Sequence, residues 1–144
     1  MRCREVGRVL AVGVSLLVLG ARDGSGEGAE AEKCGWSAEF EAVKAAPGNH
    51  KVIFENDRVR VLDVVVPPRT KEPVHGHCRP SVLYVMEGGA YVDYDVDGKV
   101  LFDSRKAGPP PALPMVEWLE STPPHAVENL GDDPIHLIRV ELKK

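Results

Sequence analysis

Five histidines, His50, His75, His77, His125 and His136, are the residues of this chain best suited to chemistry. His75-Gly76-His77 is an H-x-H pair. On an extended chain residues two apart point the same way, with Cβ atoms roughly 7 Å apart, so two imidazoles so placed can converge on one ion. A single strand cannot close a coordination sphere, so a third ligand has to come from elsewhere in the chain. His125 follows Pro123-Pro124, starts an expected strand and is the natural candidate. The expected metal set is therefore His75, His77 and His125; the competing reading is a hydrogen-bonded polar cluster without an ion. His136 shares one face of an alternating run with Ile138, Val140 and Leu142 and reads as a buried, hydrogen-bonded histidine. His50, beside Asn49, reads as a loop histidine. The chain has no nucleophile elbow, phosphate-binding glycine loop or C-x-x-C pair.

The elements that must carry these histidines are short and β-rich. Runs from Lys51 to Glu55, Val59 to Val66, Val82 to Met86, Ala90 to Val96, Lys99 to Asp103, Met115 to Leu119, His125 to Asn129 and Ile135 to Leu142 are separated by Pro, Gly and Asp clusters. That spacing predicts an all-β sandwich or barrel, and eight strands is the inventory of a jelly roll. Asp97-Gly98 predicts a two-residue type I′ hairpin. In the last run the period of two puts Arg139 and Glu141 on the face opposite His136, Ile138, Val140 and Leu142. Tyr84 and Trp118 are expected as barrel packing. Ser37 can cap one short helix through Ala45, which Pro47-Gly48 stops.

The chain has 144 residues, 43% hydrophobic and 28% charged, with a formal net charge of -4. The acidic balance, without a Lys/Arg run, excludes a nucleic-acid partner. Three arginines in the first eight residues precede the twelve-residue apolar run Val9 to Gly20, the layout of a secretory signal peptide. The run is too short to span a bilayer. Ala29-Glu30-Ala31 supplies a small-x-small cleavage site, in competition with Val18-Leu19-Gly20. The expected division is a signal peptide and linker over 1–31, an N-terminal segment with the short helix over 32–49, and one domain over 50–144. The expected location is secreted or periplasmic, without stable membrane insertion after cleavage. Cys34 and Cys78 would then enter an oxidising compartment where a disulfide is permitted. Free thiols are the expectation, because Cys34 lies close to the new N-terminus and Cys78 beside two histidines.

The stretch PPRTKEPVHGHCRPSVLYVMEGG, from Pro67 to Gly89, and the stretch HAVEN, from His125 to Asn129, resemble the two motifs of the cupin family. The likeness is to small single-domain RmlC-like jelly-roll proteins and covers about residues 50 to 142. His75, His77 and Gly88 match the first motif; His125 and Asn129 match the second. Where the first motif begins with Gly this chain has Arg69, and where the motif places a Glu ligand the spacing falls on Ser81 or Val82. The resemblance implies a double-stranded β-helix barrel holding one divalent transition metal ion (Fe, Mn, Zn, Ni or Cu) on three histidines. Glu87 and Cys78 are the residues weighed as a replacement fourth ligand; a solvated turn carboxylate and an opposite-facing thiol are their plainer readings. Two functions follow from the resemblance: a metal-dependent enzyme acting on a small-molecule substrate by oxygenase, isomerase, lyase or hydrolase chemistry, or a non-catalytic module binding a small ligand or a metal. Pairing of two copies through an edge strand, common among cupins, is compatible with the resemblance and not fixed by it.

Overall fold

The computed structural model describes residues 34–143. The expected signal peptide and its cleavage sites lie outside the described residues. Nine strands form two sheets: β1 (His50–Glu55), β2 (Val59–Val66), β3 (His75–His77), β4 (Ser81–Glu87), β5 (Tyr91–Asp95), β6 (Val100–Asp103), β7 (Met115–Leu119), β8 (Thr122–Asn129) and β9 (Ile135–Leu142). One sheet runs β1-β2-β9-β4-β7 and the other β3-β8-β5-β6, with every strand pair antiparallel. This is the double-stranded β-helix. Among the described residues no helix is long and apolar enough to cross a membrane.

Period-two alternation is cleanest in β2, where Arg60, Leu62, Val64 and Val66 are buried and their neighbours are half-buried. The inner face is therefore apolar along most of its length and charged at one end. With Leu83, Val92 and Ala126, these aliphatic side chains make a small core. The last strand departs from expectation. Arg139 and Glu141 are its buried residues, and the apolar row with His136 is only half-buried on the outer surface. The reason lies in the pairing: Arg60 stands opposite Glu141, so burying either charge requires burying both. Tyr84 and Trp118 are likewise exposed on the outer face rather than packed in the barrel.

Two local features differ from the sequence expectation in type but not in place. The β5–β6 hairpin turns at Asp97-Gly98, but only Gly98 has positive φ (79°), so the turn is not type I′. Asp95 holds it instead, its carboxylate accepting from the Asp97 and Lys99 amides. The expected helix is a 3₁₀ turn, Ala38–Phe40, followed by the single-turn helix α1 (Ala42–Ala45). At Arg69 the backbone adopts φ 58°, the left-handed conformation that the glycine of the resembling motif would take without strain.

The N-terminal segment is bound to the barrel at several points. Cys34 and Cys78 form a disulfide with Cα atoms 5.7 Å apart, where free thiols were expected. Glu41 bridges to the backbone of Gly76, and its side chain pairs with buried Arg60. A Cβ added to Gly76 would come within 3.1 Å of the Thr122 carbonyl and of the Trp36 ring, so a side chain there would press the N-terminal segment and β8 apart by a few tenths of an ångström.

The disulfide closes a loop with a sequence separation of 44. Loop-closure entropy for that length predicts a loss of about 4 kcal/mol on breaking it. Urea unfolding of the wild type with and without reductant, and of Cys34→Ser, measures this; an unchanged midpoint would show that the crosslink carries no stability.

Candidate metal centre

β3 is a ninth strand that the sequence reading did not include, and it is made of the H-x-H pair itself. It pairs with β8 so that His75 stands opposite His125 and His77 opposite Thr122. The register shifts between the two pairs, alongside Pro123 and Pro124, which have no N–H to give to a ladder. His75 and His77 are both buried, as residues two apart on an extended chain must be when that face is inward. The His75 and His125 rings lie 4.8 Å apart, and those of His75 and His77 5.2 Å.

His50 joins them. It is not a loop residue but the first residue of β1, 3% exposed, with its ring 4.3 Å from that of His75 and 5.1 Å from that of His77. Ligand nitrogens of His50, His75 and His77 all lie within 4.8 Å of one another. Nothing in the local sequence announced this; only the antiparallel pairing of β1 with β2, which sets His50 opposite Val64, turns it inward. His136 lies elsewhere, on the outer face, with Nε2 2.8 Å from Asp63 and Nδ1 3.8 Å from Glu87. Glu87 is a largely exposed carboxylate and Cys78 is consumed by the disulfide, so neither serves as a fourth ligand.

Partners fix how the rings present their nitrogens. His75 Nδ1 is 3.0 Å from the Pro73 carbonyl, His77 Nδ1 2.7 Å from Glu141, and His125 Nδ1 2.8 Å from Asp93. A carbonyl and ionised carboxylates can only accept, so Nδ1 carries the proton and the lone pair sits on Nε2. Outer partners of this kind orient metal-binding histidines and raise their basicity.

Burial governs the charge state. It lowers the pKa of His50 to about 4 and takes His75 and His77 well below the ordinary value, with neighbouring rings and the Arg139 guanidinium acting in the same direction. All three are neutral at pH 7, the form that binds metal. Glu72, three residues before His75, is also buried here, with Oε1 3.8 Å from His75 Nε2. Burial raises its carboxyl to about 8.

The donor set fits a divalent transition metal. His50 Nδ1, His125 Nε2 and Glu72 Oε2 are buried without a hydrogen-bond partner. An unsatisfied buried polar atom costs roughly 1–3 kcal/mol, which a cation offsets for each such atom that it reaches. Imidazole with a carboxylate close by suits Zn, Fe, Mn, Ni or Cu.

Neither a family model nor a curated protein matches the chain. Solved structures do. A cupin domain from Bordetella pertussis Tohama I is 21% identical, covers 66% of this chain and 92% of its own, and superposes with a TM-score of 0.53. An RmlC-like cupin family protein with a double-stranded β-helix fold from Methanocaldococcus jannaschii is 12% identical, with coverage of 65% and 78% and a TM-score of 0.47. A cupin superfamily protein from Desulfitobacterium hafniense DCB-2 is also 12% identical, covering 66% and 76%, with a TM-score of 0.44. The chain has the cupin fold, in a single double-stranded β-helix.

These charge states set the pH dependence of the metal-free protein. Below pH 6.5 the unfolded chain protonates three imidazoles that the folded barrel keeps neutral, so acid destabilises. Glu72 acts oppositely: the folded carboxyl keeps its proton from pH 4.5 to about 8 while the unfolded one loses it, so stability from this group is lost as pH rises through that range. Between pH 4.5 and 6.5 the net uptake on unfolding is three protons less one, giving a slope of about 2.7 kcal/mol per pH unit. Chelator-treated protein is expected to be most stable near pH 6.5, to weaken steeply below and gently above. A flat unfolding free energy from pH 6.5 to 5 would contradict the assignment.

Proposed function

We propose that the barrel binds one divalent transition metal ion on His75 and His77, with His125 and His50 closing the coordination sphere, and that it acts there on a small-molecule substrate. The observation that carries this reading is the convergence of buried, neutral ring nitrogens, those of His50, His75 and His77 lying within 4.8 Å of one another. His125, opposite His75 across the β3–β8 ladder, adds an inward nitrogen without a partner. Pro73, Glu141 and Asp93 hold the rings of His75, His77 and His125 by their Nδ1 atoms and leave Nε2 for the ion. Bound there, a divalent ion supplies Lewis-acid or redox chemistry, which covers the oxygenase, isomerase, lyase and hydrolase classes.

We also propose that the protein works outside the cytoplasm. The basic start, the apolar run Val9 to Gly20 and the small-residue cleavage sites support export, and the Cys34–Cys78 pair suits an oxidising compartment.

Metal analysis of the purified protein tests the first reading. About one ion per chain is expected in the wild type and almost none in His75→Ala or His77→Ala, with circular dichroism to show that each variant folds. Asp93→Asn, which touches only the outer nitrogen of His125, is expected to weaken metal affinity roughly 10- to 100-fold. Equal metal content in wild type and both histidine variants would end the reading.

A further inference from the structure

Arg139 is a buried cation of the barrel whose hydrogen bonds go to neutral hydroxyls rather than to a carboxylate. Its side chain is 5% exposed. Nε donates to Ser81 Oγ at 2.9 Å and Nη2 to Thr122 Oγ1 at 3.2 Å, both neutral hydroxyls. Its ion-pair contact is with Glu141 Oε1, at 4.0 Å from Nε, and that carboxylate is already engaged by Arg60 Nε at 2.7 Å, His77 Nδ1 at 2.7 Å and Arg79 Nη1 at 3.5 Å. The two hydroxyls occupy the side edge of the guanidinium, formed by Nε and Nη2. Both hydrogen bonds use that side edge, so the end-on edge, Nη1 with the second N–H of Nη2, has the geometry to take a further acceptor. A guanidinium edge matches a carboxylate in two parallel hydrogen bonds.

Charge counting points the same way. The buried ionisable side chains around the histidines are Arg60, Arg79 and Arg139 against Glu41, Glu72 and Glu141. Fully ionised they cancel; Asp93, 2.8 Å from His125 Nδ1, adds one negative charge, and a divalent ion would still leave the site net positive. Uncompensated charge in a buried site is costly, so the loaded barrel favours an anion. Ser81 stands at one of the two positions where the resembling motif has its anionic ligand, and here its hydroxyl instead supports a cation.

We propose that Arg139 is the anion subsite of this barrel and that the ligand it takes beside the metal is a small carboxylate. The inference rests on the metal reading for its charge argument, but the subsite is tested separately from it. Isothermal titration of acetate, malonate and the neutral isostere acetamide into zinc-loaded and chelator-treated protein measures recognition.

Acetate and malonate are expected to bind the zinc-loaded protein at least tenfold more tightly than acetamide. Arg139→Gln is expected to lose at least tenfold in malonate affinity while zinc content and circular dichroism stay at wild-type values. Arg139→Lys keeps the charge but not the fork, and it is expected to fold and to weaken malonate binding severalfold. This second variant decides the matter if the glutamine protein does not fold. Unchanged malonate affinity in either folded variant, or acetamide binding as tight as acetate, would overturn the proposal. A wild-type chain that takes up no zinc sinks the metal reading instead; malonate binding that still depends on Arg139 then upholds the subsite alone.

Discussion

The carboxylate of Glu141 organises the histidine end of the barrel. Completely buried, it accepts from Arg60 and Arg79 and from Nδ1 of His77. Arg60 extends the network to Glu41, so one chain of charge runs from the last strand through the second to the N-terminal segment. Burial opposes the charge on Arg60, yet its pKa is raised because two carboxylates outweigh that cost. Breaking such a pair leaves an unpaired charge inside, at a cost of roughly 3–5 kcal/mol. The same carboxylate also selects the tautomer of His77, so the interaction that holds the layers together also aims the nitrogen proposed to bind metal.

The N-terminal segment is consequently part of the site. Its residues run from the disulfide at Cys34, past Trp36 against Gly76 and Glu41 against Arg60, to His50 at the start of β1. Cys78, the other half of the disulfide, adjoins His77. A crosslink at one end of the segment and a buried imidazole at the other leave little freedom for His50 to leave its neighbours. The same crosslink also shrinks the denatured ensemble.

Much of the fold was legible because its signals are local. Eight strand runs, the hairpin position and the shared face of the H-x-H pair follow from period two and from Pro, Gly and Asp punctuation. What was not legible depends on pairing. The inner face of β9 cannot be chosen from its own alternation, since hydrophobicity favours Ile138 and Val140, while partnership with Arg60 favours Glu141. His50 gives no local sign of turning inward. The disulfide needs the close approach of residues far apart in sequence, and β3 is too short to register as a run. Tyr84 and Trp118 read as core by composition, although their strands leave them outside.

The departures from the cupin motifs share one electrostatic direction. Ser81 holds Arg139, which stays cationic at neutral pH even though burial lowers its pKa to about 10. The nearby carboxylate comes from before the histidines, at Glu72, whose backbone amide bonds to Val127 and whose Oε1 accepts from the Val127 amide. A carboxylate held there keeps its proton in the empty barrel because burial penalises the ion, and it has no cation close enough to reverse the balance. A divalent ion held among the neighbouring imidazoles would reverse it, because its charge favours the deprotonated oxygen. Glu72 would thereby match the charge of the barrel to its contents, neutral without an ion and anionic beside one.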